Sequence, residues 1–182
     1  MILKIVHYPD PVLKKISTPV EKFDKNLEKL IEDMFETMYA APGVGLAAPQ
    51  VAISKRILVI DVGLAEEGQH KADPKAIINP VITTKEEKII WEEGCLSLPQ
   101  LTLPMERSKK IIVEGFDAKG KPTKFFAEDL QAVAFQHEID HLDGRLLVDK
   151  LSQLKRELYV KKLKALTQSG KIEEGKGPVY VG

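Results

Sequence analysis

The sequence predicts an α+β fold: mixed or antiparallel sheets packed around a central helix that carries H-E-x-x-H, with one helix before it and one after it. Three observations predict this. Apolar residues recur at helical spacing in three separate stretches, and short β-rich runs divided by glycine and proline fill the middle of the chain. The middle helical stretch has a mostly apolar face, which has to be buried against the sheets.

The first helix is expected from Asp24, a candidate N-cap, because Leu27, Leu30, Ile31, Met34, Phe35 and Met38 line one face. It should stop before Pro42 and Gly43, where Gly43-Val44-Gly45 opens a loop able to approach another chain closely. The period then changes. Ile57 to Ile60, Ala76 to Ile82, Lys88 to Trp91 and Lys110 to Phe116 read as strands, separated by Gly68, Pro74, Gly94, Pro99 and Gly120. Glu128 or Asp129 opens the second helix, with Leu130, Val133, Ala134, His137 and His141 on one face and Gly144 as its stop. Ser152 can cap the third, whose apolar positions are Leu154, Leu158, Leu163 and Leu166 before Gly170.

A chain of 182 residues suits one domain, placed at 1–167, and the glycines and charges of 168–182 read as a flexible C-terminal tail. Lys plus Arg and Asp plus Glu number 27 each, so no net charge draws the chain to nucleic acid or to an anionic membrane. No apolar run approaches the roughly 18 residues of a spanning helix. Met1 to Asp10 lacks a secretory or organellar pattern, and the single cysteine, Cys95, fits a reducing compartment, so the expected location is the cytoplasm.

The strongest chemical signal is His137-Glu138-Ile139-Asp140-His141. Spacing i, i+4 stacks the two imidazoles one turn apart, so both can reach one metal while Glu138 lies beside a water on it. The plainer alternative is a pair of satisfied core histidines. A third donor is available in Cys95, within Glu92-Glu93-Gly94-Cys95-Leu96-Ser97-Leu98-Pro99, although a lone cysteine also serves as a small buried hydrophobe. Cys-His-His leaves a fourth position for water, the mark of a catalytic rather than a closed structural site. In Gly43-Val44-Gly45-Leu46-Ala47-Ala48-Pro49-Gln50 the amide of Gln50 can donate to an oxygen that gains charge when a carbonyl is attacked. An ordinary small-residue loop is the alternative there.

Gly43-Val44-Gly45-Leu46-Ala47-Ala48-Pro49-Gln50, Glu93-Gly94-Cys95-Leu96-Ser97 and Gln136-His137-Glu138-Ile139-Asp140-His141 resemble the three signature motifs of the peptide deformylases, in the same order and at similar spacing. The likeness in layout runs from Val6 to about Leu166. It implies an enzyme that removes the formyl group from the N-terminal formyl-methionine of newly synthesised proteins. Cys95, His137 and His141 would hold one divalent metal, Fe(II) by the family's preference, with Zn, Ni or Co as substitutes. Glu138 would be the general acid/base, and Gln50 with the backbone N–H of Leu96 would bind the formyl oxygen. Gly45 and Gly94 would pair with the substrate backbone, and Val44, Trp91, Leu130, Val133 and Ala134 would surround the methionine side chain. At Trp91 the family often has a smaller aliphatic residue, and near Thr102 commonly a basic or other polar one. The partners implied are formyl-methionyl nascent chains, met at the ribosome by a monomer that reads no nucleic-acid sequence and enters no membrane.

Two other classes share part of this pattern. A zincin-type endopeptidase also uses H-E-x-x-H but takes its third ligand after the helix, whereas Cys95 lies upstream. A zinc-stabilised binding module would need a fourth protein ligand, for which no spare cysteine exists.

Overall fold

Four consecutive apolar residues without polar alternation, Ile57 to Ile60, call for a strand covered on both faces, and all four are buried. The computed structural model describes residues 1–41, 43–66 and 69–172. In chain order its elements are α1 (Lys25–Ala40), β1 (Gly45–Ala47), β2 (Ile57–Ile60), β3 (Leu64–Glu66), β4 (Gln69–Lys71), β5 (Lys75–Gly94), β6 (Thr102–Phe116), β7 (Pro122–Glu128), α2 (Asp129–Leu142) and α3 (Gln153–Gln168). The main sheet has the order β1-β2-β5-β6-β7 with every neighbouring pair antiparallel, and β3 pairs with β4 as a separate hairpin. The architecture is the expected α+β, with the antiparallel alternative realised among these strands.

The strands are longer than the sequence suggests. Ala76 to Ile82 and Lys88 to Trp91 are parts of one strand, β5, and Lys110 to Phe116 is only the second half of β6. The β5–β6 register shifts between Ile78 and Val81 and again between Ile82 and Thr84, while Asn79 and Glu87 take positive φ (52° and 54°). Such bulges break the two-residue alternation by which a strand is recognised. Four strands among the described residues were not foreseen: β1, too short to display a period, lies in the segment read as a glycine loop, β3 and β4 form the separate hairpin, and β7 buries Ala127 while Phe126 is 74% exposed.

Asp24 caps α1 by accepting from the N–H groups of Asn26 and Leu27, both at 3.0 Å. Leu27, Ile31, Met34 and Met38 are buried against β1 and β2, with Leu30 and Phe35 at the margin. Pro42, the expected stop, lies outside the described residues, as do Gly68 and the tail glycines Gly175, Gly177 and Gly182. Ser152 caps α3 as expected, through Lys155 N–H at 3.4 Å. Its buried positions, however, are Tyr159 and Leu163, while Leu154 and Leu158 are exposed. Beyond that helix Ile172 is buried in the same cluster as Tyr159 and Leu163, so packing reaches into the segment read as tail.

The helix α2 packs on β6, β1, β2 and β7, and ten of its 14 residues are buried. A helix so enclosed can hold two histidines inside the fold. It ends at Gly144, where φ is +68° and an added Cβ would lie 2.5 Å from the carbonyl oxygen of Lys14. Both constraints exclude a side chain. Gly144→Ala is therefore expected to lower stability by roughly 2–4 kcal/mol from backbone strain plus overpacking; a urea midpoint unchanged from the parent would contradict that.

Candidate metal centre

His137 and His141 stand one turn apart on α2, with ring centroids 5.0 Å apart and planes at 70°. The thiol of Cys95, one residue past the end of β5, lies 3.2 Å from His141 Nε2. One donor atom from each of Cys95, His137 and His141 falls within 4.8 Å of the other two, and all three residues are buried. This donor set fits a single divalent cation. A soft thiolate and two imidazoles suit late first-row metals, and three protein ligands leave a position open. The third donor precedes the helix in sequence, unlike a zincin's.

The charges around these donors are arranged by a network that the sequence did not disclose. Glu93 Oε2 meets His137 Nδ1 at 2.9 Å, which commits that nitrogen and leaves Nε2 as the ligating atom. Arg107 grips the same carboxylate through Nε at 2.6 Å and a terminal nitrogen at 2.8 Å, and its other terminal nitrogen donates to Asp140 at 2.6 Å. Burial alone would raise the Glu93 pKa, but the bonds from Arg107 and His137 outweigh it and hold the carboxylate below its usual value. Burial likewise opposes charge on His137, yet Cys95 and Glu93 raise its pKa well above 6.5. For His141 burial acts together with the positive His137 and Arg107 to push the pKa well down. Ligation would require both imidazoles neutral.

Glu138 is the second buried carboxylate, and its surroundings are opposite. Burial is the main cause that pushes its pKa up to about 7, and Glu93 adds to the effect. Among the described residues Oε2 has no hydrogen-bond partner. Its other oxygen sits over Gly45, where an added Cβ would lie 2.5 Å away. The glycine of β1 thus makes room for the carboxylate of α2.

Gln50 lies on a single 3-10 turn, Ala48–Val51, where its Oε1 accepts from Ala47 N–H at 2.8 Å. That bond fixes the amide orientation and turns Nε2 toward Ser97 Oγ (3.3 Å) and Cys95 Sγ (3.6 Å). Leu96 is buried beside Cys95 and packs against the α1 cluster. On α2, Val133 and Ala134 are buried one turn before His137, whereas Leu130, two turns before it, is only half-buried. Val44 packs against the cluster that contains Ala134. Trp91 lies on β5 two residues before Glu93, and Gly94 closes the strand opposite exposed Thr102.

Glu93 and Arg107 are the two residues that reading the sequence missed as functional. A faint signal existed: Met105 and Arg107 alternate with Pro104 and Glu106 along β6, which puts a charged side chain in an inward position.

Because the ligands form one chelating set, Cys95→Ala, His137→Ala and His141→Ala should each lose stoichiometric metal. Metal analysis of purified Cys95→Ala protein that still returned one equivalent would remove the thiol from the site.

The match to known proteins covers most of the chain. Residues 2–157 match the family model described as polypeptide deformylase. A peptide deformylase of Thermodesulfovibrio yellowstonii is 51% identical over 163 residues, which cover 90% of this chain and 97% of that protein. One from Brucella suis is 48% identical over 89% of this chain and 91% of its own length. Among solved structures, the Legionella pneumophila peptide deformylase superposes with a TM-score of 0.84 at 44% identity, covering 95% of this chain and 99% of that one. The Ehrlichia chaffeensis enzyme in complex with actinonin superposes with a TM-score of 0.83 at 42% identity, covering 90% and 96%. With its three donors brought together as those motifs require, the chain belongs to the polypeptide deformylase family.

Proposed function

We propose that this chain hydrolyses the N-terminal formyl group of formyl-methionine on newly synthesised proteins and releases formate. The observation that carries the reading is the conjunction of a buried Cys95-His137-His141 donor set with a buried, unpartnered carboxylate oxygen on Glu138. Cys95, His137 and His141 hold the metal. When bound, a divalent cation supplies Lewis acidity that polarises a carbonyl and makes a nearby water more acidic. Fe(II) is the ion we assign, with Zn, Ni or Co able to replace it, because the same three donors accept each of them.

The chain's own residues do the rest. Glu138 Oε2 takes a proton from the attacking water and later delivers it to the departing amine. A carboxyl whose pKa lies near 7 without metal is poised to do both near neutral pH. Gln50 Nε2, oriented by the Ala47 bond, and the backbone N–H of Leu96 receive the formyl oxygen as it gains charge. The strand β1 lies at the edge of the main sheet, which favours a substrate backbone added beside Gly45 and, across the cleft, Gly94. Val44, Trp91, Leu130, Val133 and Ala134 surround the methionine side chain.

We further assign residues 1–167 as the catalytic domain and 168–182 as a tail outside the chemistry. The enzyme is read as a monomer acting in the cytoplasm on chains emerging from the ribosome. None of the helices among the described residues is long and apolar enough to cross a membrane.

Glu138 serves the water more than the ligand set, so Glu138→Gln should keep its metal while turnover falls by roughly 10²-fold or more. Near-native turnover with full metal would mean that another base acts.

The decisive test compares formyl-Met and acetyl-Met peptides with anaerobically purified, metal-analysed enzyme. An acetyl methyl must fit where Cys95, Leu96 and Gln50 converge, and overpacking such a site typically costs about 1–3 kcal/mol before any misplacement of the carbonyl. The acetyl peptide should be cleaved at least ~100-fold more slowly in kcat/KM. Comparable rates on both would replace the deformylase reading with a broader metal-dependent amidase.

A further inference from the structure

Trp91 is the chain's single tryptophan, and its indole Nε1 is buried without a hydrogen-bond partner among the described residues although the side chain is only half-buried. A buried donor without an acceptor loses the water it had in the unfolded chain, and native folds seldom accept that loss without a use. Its position says where the donor lies. Along β5 the exposures alternate: Ile90 and Glu92 face solvent, while Ile89, Trp91 and Glu93 turn inward. The cross-strand partners on β6 agree, since Trp91 stands opposite buried Met105 and Glu93 opposite half-buried Leu103. Residues two apart on one face of a strand are about 7 Å apart. The neighbour in that row, Glu93, touches the ligand His137. The indole therefore lies on the sheet face that meets α2, in the same row as the carboxylate that touches His137.

We propose that the Trp91 N–H donates a hydrogen bond to the thioether sulfur of the substrate's methionine. The proposal rests on the formyl-methionine reading above. The methionine side chain carries one atom able to accept a hydrogen bond, its sulfur, and that acceptor is weak. Other side chains assigned to the pocket, among them Val44, Val133 and Ala134, are aliphatic and cannot distinguish sulfur from methylene. Sulfur also interacts favourably with the edge of an aromatic ring, where the indole N–H is found. Trp91 thus makes the pocket selective for sulfur where an aliphatic residue would select only length and girth.

Norleucine supplies the comparison, because it replaces the sulfur by CH₂ at nearly the same size. The metal-loaded enzyme is assayed on formyl-Met and formyl-norleucine peptides of otherwise identical sequence. The fluorescence of the single tryptophan is followed as the deformylated products Met-Ala-Ser and norleucine-Ala-Ser are titrated in. The native enzyme should favour methionine by about three- to tenfold in kcat/KM and in product Kd, the range one neutral hydrogen bond supports. Trp91→Phe, which keeps an aromatic ring and loses the N–H, should bring the kcat/KM ratio to one or below, because norleucine is the more apolar side chain. Equal use of both substrates by the native enzyme overturns the proposal, as does a preference that survives in Trp91→Phe. An enzyme that cleaves neither formyl peptide although fluorescence registers tighter methionine-product binding would refute the deformylase reading alone and leave the donor role supported.

Discussion

The Glu93 carboxylate, fully enclosed, accepts two hydrogen bonds from Arg107 and meets His137 at Nδ1, and the geometry of the candidate metal centre hangs from this joint. Three elements converge in it, since Glu93 belongs to β5, Arg107 to β6 and His137 to α2. A buried ion pair is weak evidence of stability, because desolvating both partners costs several kcal/mol per ion. What it secures is orientation. With Nδ1 engaged, the imidazole can offer only Nε2 to a metal, and the ring cannot flip without breaking that contact. Arg107 reaches from there to Asp140, three residues along α2, so the helix is held to the sheet on both sides of Glu138.

Two glutamates a short distance apart are thereby given opposite characters. Glu93 is surrounded by donors and stays ionised despite its burial, whereas Glu138 faces the backbone of Gly45 with one oxygen unpartnered and is drawn toward its neutral form. Residue type does not separate a carboxylate held ionised from one drawn toward its neutral form here; the environment does. The glycine matters for this as much as any charged group. A side chain at position 45 would occupy the place of the Glu138 carboxylate, so the first motif of the sequence is in part a spatial allowance for the third.

Much of this centre could be read from the sequence because its signals are local. The i, i+4 spacing of His137 and His141, the lone thiol of Cys95 and the capping residue Asp24 each need only a few neighbouring residues to be recognised. What could not be read depends on pairing between distant segments. Arg107 and Glu93 are 14 residues apart and look like ordinary strand charges until β5 and β6 are set in register. The extent of β5 was hidden for a related reason, since its bulges and its solvent-facing charges erase the alternation that marks a strand. On α3 the heptad-like leucines were misleading: Leu154 and Leu158 face outward, and the helix is seated by Tyr159, whose hydroxyl donates to the carbonyl of Pro99 at 2.8 Å.

The solitude of Cys95 has a chemical cost. Elsewhere a thiolate oxidised to sulfenic acid can condense with a neighbouring thiol, and the resulting disulfide protects it from further oxidation until a reductant restores it. This chain holds no second sulfhydryl, and the first is enclosed at 4% exposure, where bulky reductants reach it poorly. A single oxidative event at that sulfur therefore has an open route to sulfinic acid, which is irreversible for most proteins. The one sulfur of the candidate donor set is also a fuse without a spare.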